Sequence, residues 1–231
     1  LNFTDAFFES ISGITTTGAT VITNLDNLTE GILIWRSLLQ WFGGIGIIVL
    51  ALAILPTLQI GGMQLLHMEH DDPYEKTLPK ITQFVFQIFL LYLLFTFICG
   101  VLYFISGMNG FDAIAHSMTT ISTGGFSTHN DSFGNFNSIN IESISILFMI
   151  IGSLPFVIYL QIVSGHWKNF FKDDQIKLFF ILIIFIIGIT TVWLSLNSSE
   201  NILYLLRIST FNITSILTGT GYSSSNFSQW G

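Results

Sequence analysis

Ser122-Thr123-Gly124-Gly125-Phe126-Ser127 is the stretch on which the reading of this chain turns. It follows a short mixed-polarity segment, Phe111–Ile121, that is too short to cross a hydrocarbon core of about 30 Å at 1.5 Å per residue. Two other tracts share the pattern. Thr15-Thr16-Thr17-Gly18-Ala19-Thr20 follows Phe3–Ile14, and Thr218-Gly219-Thr220-Gly221-Tyr222-Ser223 follows Tyr204–Leu217. Aligned on Gly18, Gly125 and Gly221, the tracts stand 107 and 96 residues apart. The first two keep matching upstream, Asp5-Ala6 on Asp112-Ala113, Ser10 on Ser117 and Ile14 on Ile121. Such a period is too long for a solenoid and suits a unit of span, re-entrant helix, tract and span.

Around these tracts the chain is built for lipid. Charged residues make up 9% of it and hydrophobic ones 51%, with a mean hydropathy of +0.69. A soluble domain carries about 25% charge, and 231 residues cannot hide this much apolar surface from water. Four stretches are long enough to span, Ile32–Leu58, Ile81–Ser106, Ile139–Ser164 and Ile176–Leu196. The three short segments between them read as re-entrant. The first residues lack the basic start of a secretory signal. The single cysteine, Cys99, lies in an apolar run and excludes an intrachain disulfide. With a formal charge of −7 and no basic patch, nucleic acid is not an expected partner.

Lysines orient the chain. Lys76 and Lys80 fall in the loop Gly61–Lys80, and Lys168 and Lys172 in the loop Gly165–Gln175, with Lys177 beside it. The opposite loops, Val21–Gly31, Thr128–Asn140 and Asn197–Asn201, hold no Lys or Arg. The lysine-bearing loops are therefore expected in the cytoplasm, and all three re-entrant segments enter from outside. The expected organisation is a first unit over 1–58, a cytoplasmic loop over 59–80, a second unit over 81–164, a cytoplasmic loop over 165–175 and a third unit over 176–231.

The tracts have the chemistry a dehydrated cation needs. An ion entering a low-dielectric slab loses water, and main-chain oxygens can replace it where several point at one axis. Glycine permits the positive φ that such a run requires, and an unpaired extended backbone is tolerated at membrane depth only where it lines a water-filled path. Each short helix aims its carboxyl end, with about half a negative charge, at its tract. The tracts contain no Asp or Glu, which favours a monovalent ion over calcium.

Further motifs carry a family resemblance. They are Phe3-Thr4-Asp5-Ala6-Phe7-Phe8-Glu9-Ser10, Gln40-Trp41-Phe42-Gly43-Gly44-Ile45-Gly46, Ile60-Gly61-Gly62-Met63-Gln64 and Gly124-Gly125-Phe126-Ser127-Thr128-His129. With the tracts, they resemble the TrkH/KtrB family of bacterial potassium-uptake proteins, the TrkH branch most closely, over essentially the whole chain. The resemblance implies an all-α inner-membrane protein whose repeated helix–pore-loop–helix units stand in pseudo-fourfold array around a pore, with potassium as cargo and no cofactor. It maps Gly18, Gly125 and Gly221 onto filter glycines, and Thr16, Thr17, Thr123, Gly124, Gly219 and Thr220 onto the carbonyl donors before them. It further implies a homodimer of complete chains and a cytoplasmic nucleotide-binding regulator of the TrkA kind. The family has four units, so three in this sequence read as an interior piece of a longer protein that would not conduct alone.

Other residues have plainer readings. Gly43, Gly44 and Gly46 are expected to permit close helix packing. His67-Met68-Glu69-His70-Asp71-Asp72 reads as a solvated turn rather than a metal site. His116, aligned with Glu9, reads as a packing or hydrogen-bonding group in its helix. His129 and Asp131 fall just outside the second tract, where an outer vestibule would lie. Arg36 reads as a snorkelling cation, with a tie behind the first tract as the sharper alternative. Pro155 is expected to kink its span. Two other functions are weighed: a broken-helix secondary transporter for sodium or a solute, and a non-conducting membrane fragment. Nothing in the sequence assembles a nucleophile–base pair or phosphate loop, so an enzyme is not expected.

Overall fold

The computed structural model describes residues 2–54, 77–225 and 230. Among them every regular element is helical, in the order α1 (Phe3–Ile14), α2 (Glu30–Ile54), α3 (Thr77–Ile105), α4 (Gly110–Ile121), α5 (Ile139–Ser153), α6 (Phe156–Val163), α7 (Lys168–Lys172), α8 (Asp174–Asn197) and α9 (Ile202–Leu217). Single tight turns at Leu25–Asn27 and Ser132–Asn135 break the loops after α1 and α4. The predicted motif His67–Asp72 and most of the predicted loop Gly61–Lys80 lie outside the described residues.

The long helices are apolar on nearly every side, the pattern of a helix solvated by lipid rather than by water. Gln83–Ile105 and Asp174–Asn197 are both long and apolar enough to cross a membrane, and only 22% and 17% of their most apolar stretches are buried within the protein. Phe97, Phe104, Ile184 and Phe185 point outward. So much exposed apolar surface is stable only against hydrocarbon.

The short helices begin alike. Asn2, Asn109 and Asn201 each accept a backbone N–H of the first turn, from Asp5, Asp112 and Leu203, satisfying a donor the helix leaves orphaned. Asp5 and Asp112 add charge where the helix dipole is positive. α4 lies centrally and packs on α2, α3 and α5, while α1 packs on α2 and α9 on α5 and α8.

Glycines bring the spans onto the carboxyl ends of the short helices. A Cβ on Gly43 would overlap the Ile14 carbonyl, and one on Gly44 would lie 2.7 Å from the Tyr92 hydroxyl and 3.0 Å from Ser122 Cβ. A Cβ on Gly152 of α5 would likewise lie 2.7 Å from the Ile121 carbonyl oxygen. Among the described residues nothing lies within 4 Å of a Cβ built on Gly46.

The predicted span Ile139–Ser164 is a broken one. α5 and α6 meet at an angle of 92° around Leu154-Pro155. Pro155 has no N–H to offer the Ile151 carbonyl one turn back, and the Tyr159 hydroxyl donates to that oxygen instead, at 2.7 Å. Phe95, Phe156 and Tyr159 pack ring to ring over the inside of the bend. Tyr159→Phe is expected to destabilise the purified protein by about 1 kcal/mol, the usual worth of such a hydrogen bond. A thermal unfolding curve in detergent measures this, and an unchanged midpoint would show the bend to be held by the rings alone.

Candidate ion pore

The three tracts leave their helices with one backbone pattern. φ is positive at Thr16 (56°) and Gly18 (76°), at Thr123 (51°) and Gly125 (77°), and at Gly219 (76°) and Gly221 (83°). In an ordinary extended strand successive carbonyls point to opposite sides. Placing every second residue at positive φ breaks that alternation and lets neighbouring carbonyls share a side. For the β-branched Thr16 and Thr123 this conformation is strained, so the surroundings must hold it.

The tracts meet. A Cβ on Gly18 would overlap the Gly124 carbonyl oxygen and lie 3.7 Å from that of Thr220. A Cβ on Gly125 would overlap the Thr220 carbonyl oxygen in turn. Main-chain oxygens of the second and third tracts thus gather against the glycine of the tract before them. Around Gly219 and Gly221 nothing among the described residues lies within 4 Å of a built Cβ. Among the described residues the assembly is closed on two sides and open on the third tract's flank.

A repeated bonding scheme holds each tract to its own helix. The carbonyl of Ser12 accepts from Thr17 and Gly18, that of Thr119 from Gly124 and Gly125, and that of Ser215 from Gly221. The Ser12 hydroxyl donates to the Ala19 carbonyl at 2.6 Å and the Ser215 hydroxyl to the Tyr222 carbonyl at 2.8 Å. The Thr119 hydroxyl is turned the other way, toward the Tyr222 hydroxyl. Tyr222 is fully buried beside Phe133, 4.4 Å between ring centroids, and this contact seats the third tract on the loop that follows the second.

A second column, Glu9, His116 and Asn212, ties the tract exits. Glu9 accepts from the Thr20 hydroxyl (2.9 Å) and the Val21 N–H (3.0 Å). His116 Nε2 meets Ser127 Oγ at 3.0 Å, and Asn212 accepts from the Ser224 N–H at 3.1 Å. His116 is therefore a buried hydrogen-bonding group, as its register predicts. Arg36 is not a snorkelling cation but the tie behind the first tract that the sequence offered as its sharper alternative. It is 3% exposed, bonds Glu9 at 2.8 Å, and donates to Thr20 Oγ1 and to the Ser127 carbonyl while lying over the Phe126 ring. The correction follows from position: α1 supplies a buried carboxylate within reach, and a charge in a low-dielectric setting goes to its partner. Arg207 makes a comparable two-pronged pair with Glu142, joining α9 to α5.

The loops after α1 and α4 and the exit of the third tract are strapped to one another. Asn130 accepts from the Leu25 N–H, and Gly134 donates to the Ser223 carbonyl. His129 bridges two carboxylates, Nδ1 to Asp26 at 2.8 Å and Nε2 to Asp112 at 3.0 Å. Burial works against its charged form, but the hydrogen bonds and charges of Asp112 and Asp26 outweigh it and hold the ring above the ordinary imidazole range. A raised pKa in the folded state means the bridge stabilises fully below the unfolded value of about 6.5 and is lost as pH rises through the folded one. Backbone hydrogen exchange over residues 24–30 is expected to quicken, beyond its intrinsic rate, as pH rises above about 6.5, and His129→Gln to remove that dependence. Equal dependence in both proteins would refute the bridge.

On the helix side a cavity of about 170 Å³ is lined by Thr16, Thr123, Ser122 and Tyr92, among others. The carboxyl ends of α1 and α4 face it, so its field favours a cation. All nine residues picked out in the tracts thus lie on the three converging segments. Missed by sequence reasoning were Ser12, Thr119 and Ser215, and the role of Gln40. The first three were findable, because they keep the 107 and 96 spacing of the glycines.

Half-length helices entering from one side, spans solvated by lipid and a meeting of glycine tracts define an all-helical membrane pore protein. A family model described as TrkH, cation transport protein, matches residues 1–231, and the chain belongs to that family. The Trk system potassium uptake protein TrkH of Halomonas elongata is 43% identical over 233 residues, covering 100% of this chain and 48% of its own length. TrkH of Escherichia coli is 40% identical with the same coverage. The crystal structure of the potassium transporter TrkH from Vibrio parahaemolyticus superposes with a TM-score of 0.88 at 39% identity, covering 100% of this chain and 47% of that one. The chain spans about half the length of the relatives it matches. The family is one of transporters, not enzymes.

Proposed function

We propose that the chain supplies three pore units of a Trk-type potassium transporter, and that the backbone oxygens of its three tracts replace the water of a dehydrated ion. The observation that carries this is the gathering of the Gly124 and Thr220 carbonyl oxygens beside Gly18. Carbonyl oxygens are the ligands that potassium accepts in exchange for hydration. Ion sites here are Thr16, Thr17, Gly18, Thr123, Gly124, Gly125, Gly219, Thr220 and Gly221. The open flank at Gly221 suits a fourth unit of the same kind, which would close the ring.

Broken-helix secondary transport of sodium or a solute fits less well, since the relatives the chain matches are Trk potassium uptake proteins. For an anionic solute that mechanism points helix amino ends at the substrate, whereas α1, α4 and α9 end on the tracts with their carboxyl termini. The protein acts in the bacterial inner membrane, with Lys168, Lys172 and Lys177 on the cytoplasmic side by the positive-inside rule. A homodimer of complete chains and a cytoplasmic nucleotide-binding regulator, meeting loops such as 165–175, complete the assembly.

The test is rubidium uptake by potassium-starved cells that lack their own uptake systems and express the complete transporter. Uptake that unlabelled potassium suppresses and equal sodium does not is the expected result. Uptake no faster than in cells without the protein would reject the reading.

A further inference from the structure

Gln40 lies in the middle of α2, is completely buried, and does not belong to any tract. Its side chain nevertheless reaches the second tract at two points. Nε2 donates to the Gly124 carbonyl at 2.6 Å and Oε1 accepts from the Phe126 N–H at 3.0 Å. The amide can be placed only this way round, because a carbonyl only accepts and a backbone N–H only donates. The two bonds bracket Gly125, the glycine whose built Cβ meets Thr220.

The first and third tracts do not need such a clamp. Their exits are held from their own helices, Ser12 to Ala19 and Ser215 to Tyr222. In the second, the Thr119 hydroxyl is spent on Tyr222, and Gln40 takes over the exit from the neighbouring span. The exchange is written in the sequence of the tract itself. The middle column reads Thr17, Gly124, Thr220. Thr17 and Thr220 bond Thr15 and Thr218 within their tracts, 2.8 Å in both cases. A Cβ on Gly124 would instead stand 2.5 Å from Gln40 Oε1 and closer still to Cδ. Gly124 is glycine because the Gln40 amide fills the space a threonine side chain takes elsewhere.

We infer that Gln40 is a positioning residue for ion selectivity: it sets the direction of the Gly124 carbonyl from behind, so that one pore unit tunes the ligand offered by the next. The inference rests on the filter reading given above. An ion-coordinating oxygen with one lone pair tied to a buried amide keeps its direction as ions pass, and that rigidity separates potassium from the smaller sodium ion. Arg36, one turn earlier on the same face, holds the Ser127 carbonyl further out, so the second tract is fastened to α2 along its length.

Three variants of the complete transporter test this, read as the ratio of potassium-suppressible to sodium-suppressible rubidium uptake. The ratio is taken within one sample and does not depend on how much protein reaches the membrane. Gln40→Met keeps the length of the side chain but offers the Gly124 carbonyl no donor and the Phe126 N–H no acceptor oxygen. The ratio is expected to fall about tenfold, what the loss of one buried partner is worth. Gly124→Thr alone is expected to abolish uptake through the clash, and Gln40→Ala added to it to restore uptake at a reduced ratio. A merely structural glutamine would lower the amount of protein while leaving the ratio of the remainder at the wild-type value, and that outcome overturns the inference. So does Gly124→Thr behaving as wild type with Gln40 in place. A wild-type protein showing no potassium preference, with Gly125→Ser no different, overturns the filter reading and the inference with it. Wild-type preference lost in Gly125→Ser but kept in Gln40→Met overturns the inference alone.

Discussion

Gly125→Ala is expected to destroy potassium preference while leaving the protein in the membrane. Two effects act together. The residue sits at φ +77°, where an L-amino acid costs about 1–2 kcal/mol more than glycine. Its new Cβ would overlap the Thr220 carbonyl oxygen, and backbone on both sides leaves no flexible side chain to yield. The third tract must move, and the oxygen it moves is a proposed ion ligand. A differential loss of only 1.4 kcal/mol is tenfold in affinity, so the ratio of potassium to sodium uptake should fall by at least about tenfold. Gly18→Ala should behave similarly, against the Gly124 carbonyl. Gly219→Thr is the contrasting case. It also has positive φ, yet no atom stands near its built Cβ among the described residues, and its column already holds Thr16 and Thr123. Competition uptake assays on the three variants decide the matter; equal effects at Gly125 and Gly219 would mean that strain, not ligand displacement, sets selectivity.

Breaking the Glu9–Arg36 pair should be the most damaging change away from the tracts. Both side chains are almost wholly shielded, at 7% and 3% exposure. Removing one partner of such a pair leaves a buried charge uncompensated, at about 3–5 kcal/mol. Arg36→Met also strips the Thr20 hydroxyl and the Ser127 carbonyl of a donor. Arg36→Lys cannot reproduce the three bonds, since a point charge lacks the planar fork. Thermal unfolding of the purified variants should show Arg36→Met and Glu9→Leu each far below wild type, and the double variant less destabilised than their sum. Additive losses would show that the pair is not coupled. The result bears on function because α1 and the exits of the first two tracts all converge on this one guanidinium.

The parts of the fold set by local chemistry were legible. Four apolar runs, three half-length segments and the 107-residue register all follow from composition and periodicity, and α1 begins and ends where expected. The break after Ser153 was visible as Pro155, but the Tyr159 hydroxyl bond and the packing of Tyr159 with Phe95 and Phe156 that accompany its 92° bend are encoded by no local pattern. The tract glycines were found because positive φ leaves a mark in the sequence. Gln40 was not, because a glutamine in an apolar span looks like any polar residue until its distance to Gly124 is known. For Arg36 the sequence left two readings open, and only the structure selects the tie behind the first tract: its partner Glu9 is remote along the chain, and pairing across helices is written in tertiary structure alone.

The most direct measurement is an anomalous-diffraction map of the complete transporter crystallised in rubidium chloride. Rubidium should stand on the line shared by the tracts, within ligand distance of the Thr17, Gly124 and Thr220 carbonyl oxygens. A map with that position empty, and rubidium bound only among the carboxylates of Asp26 and Asp112, would contradict the account.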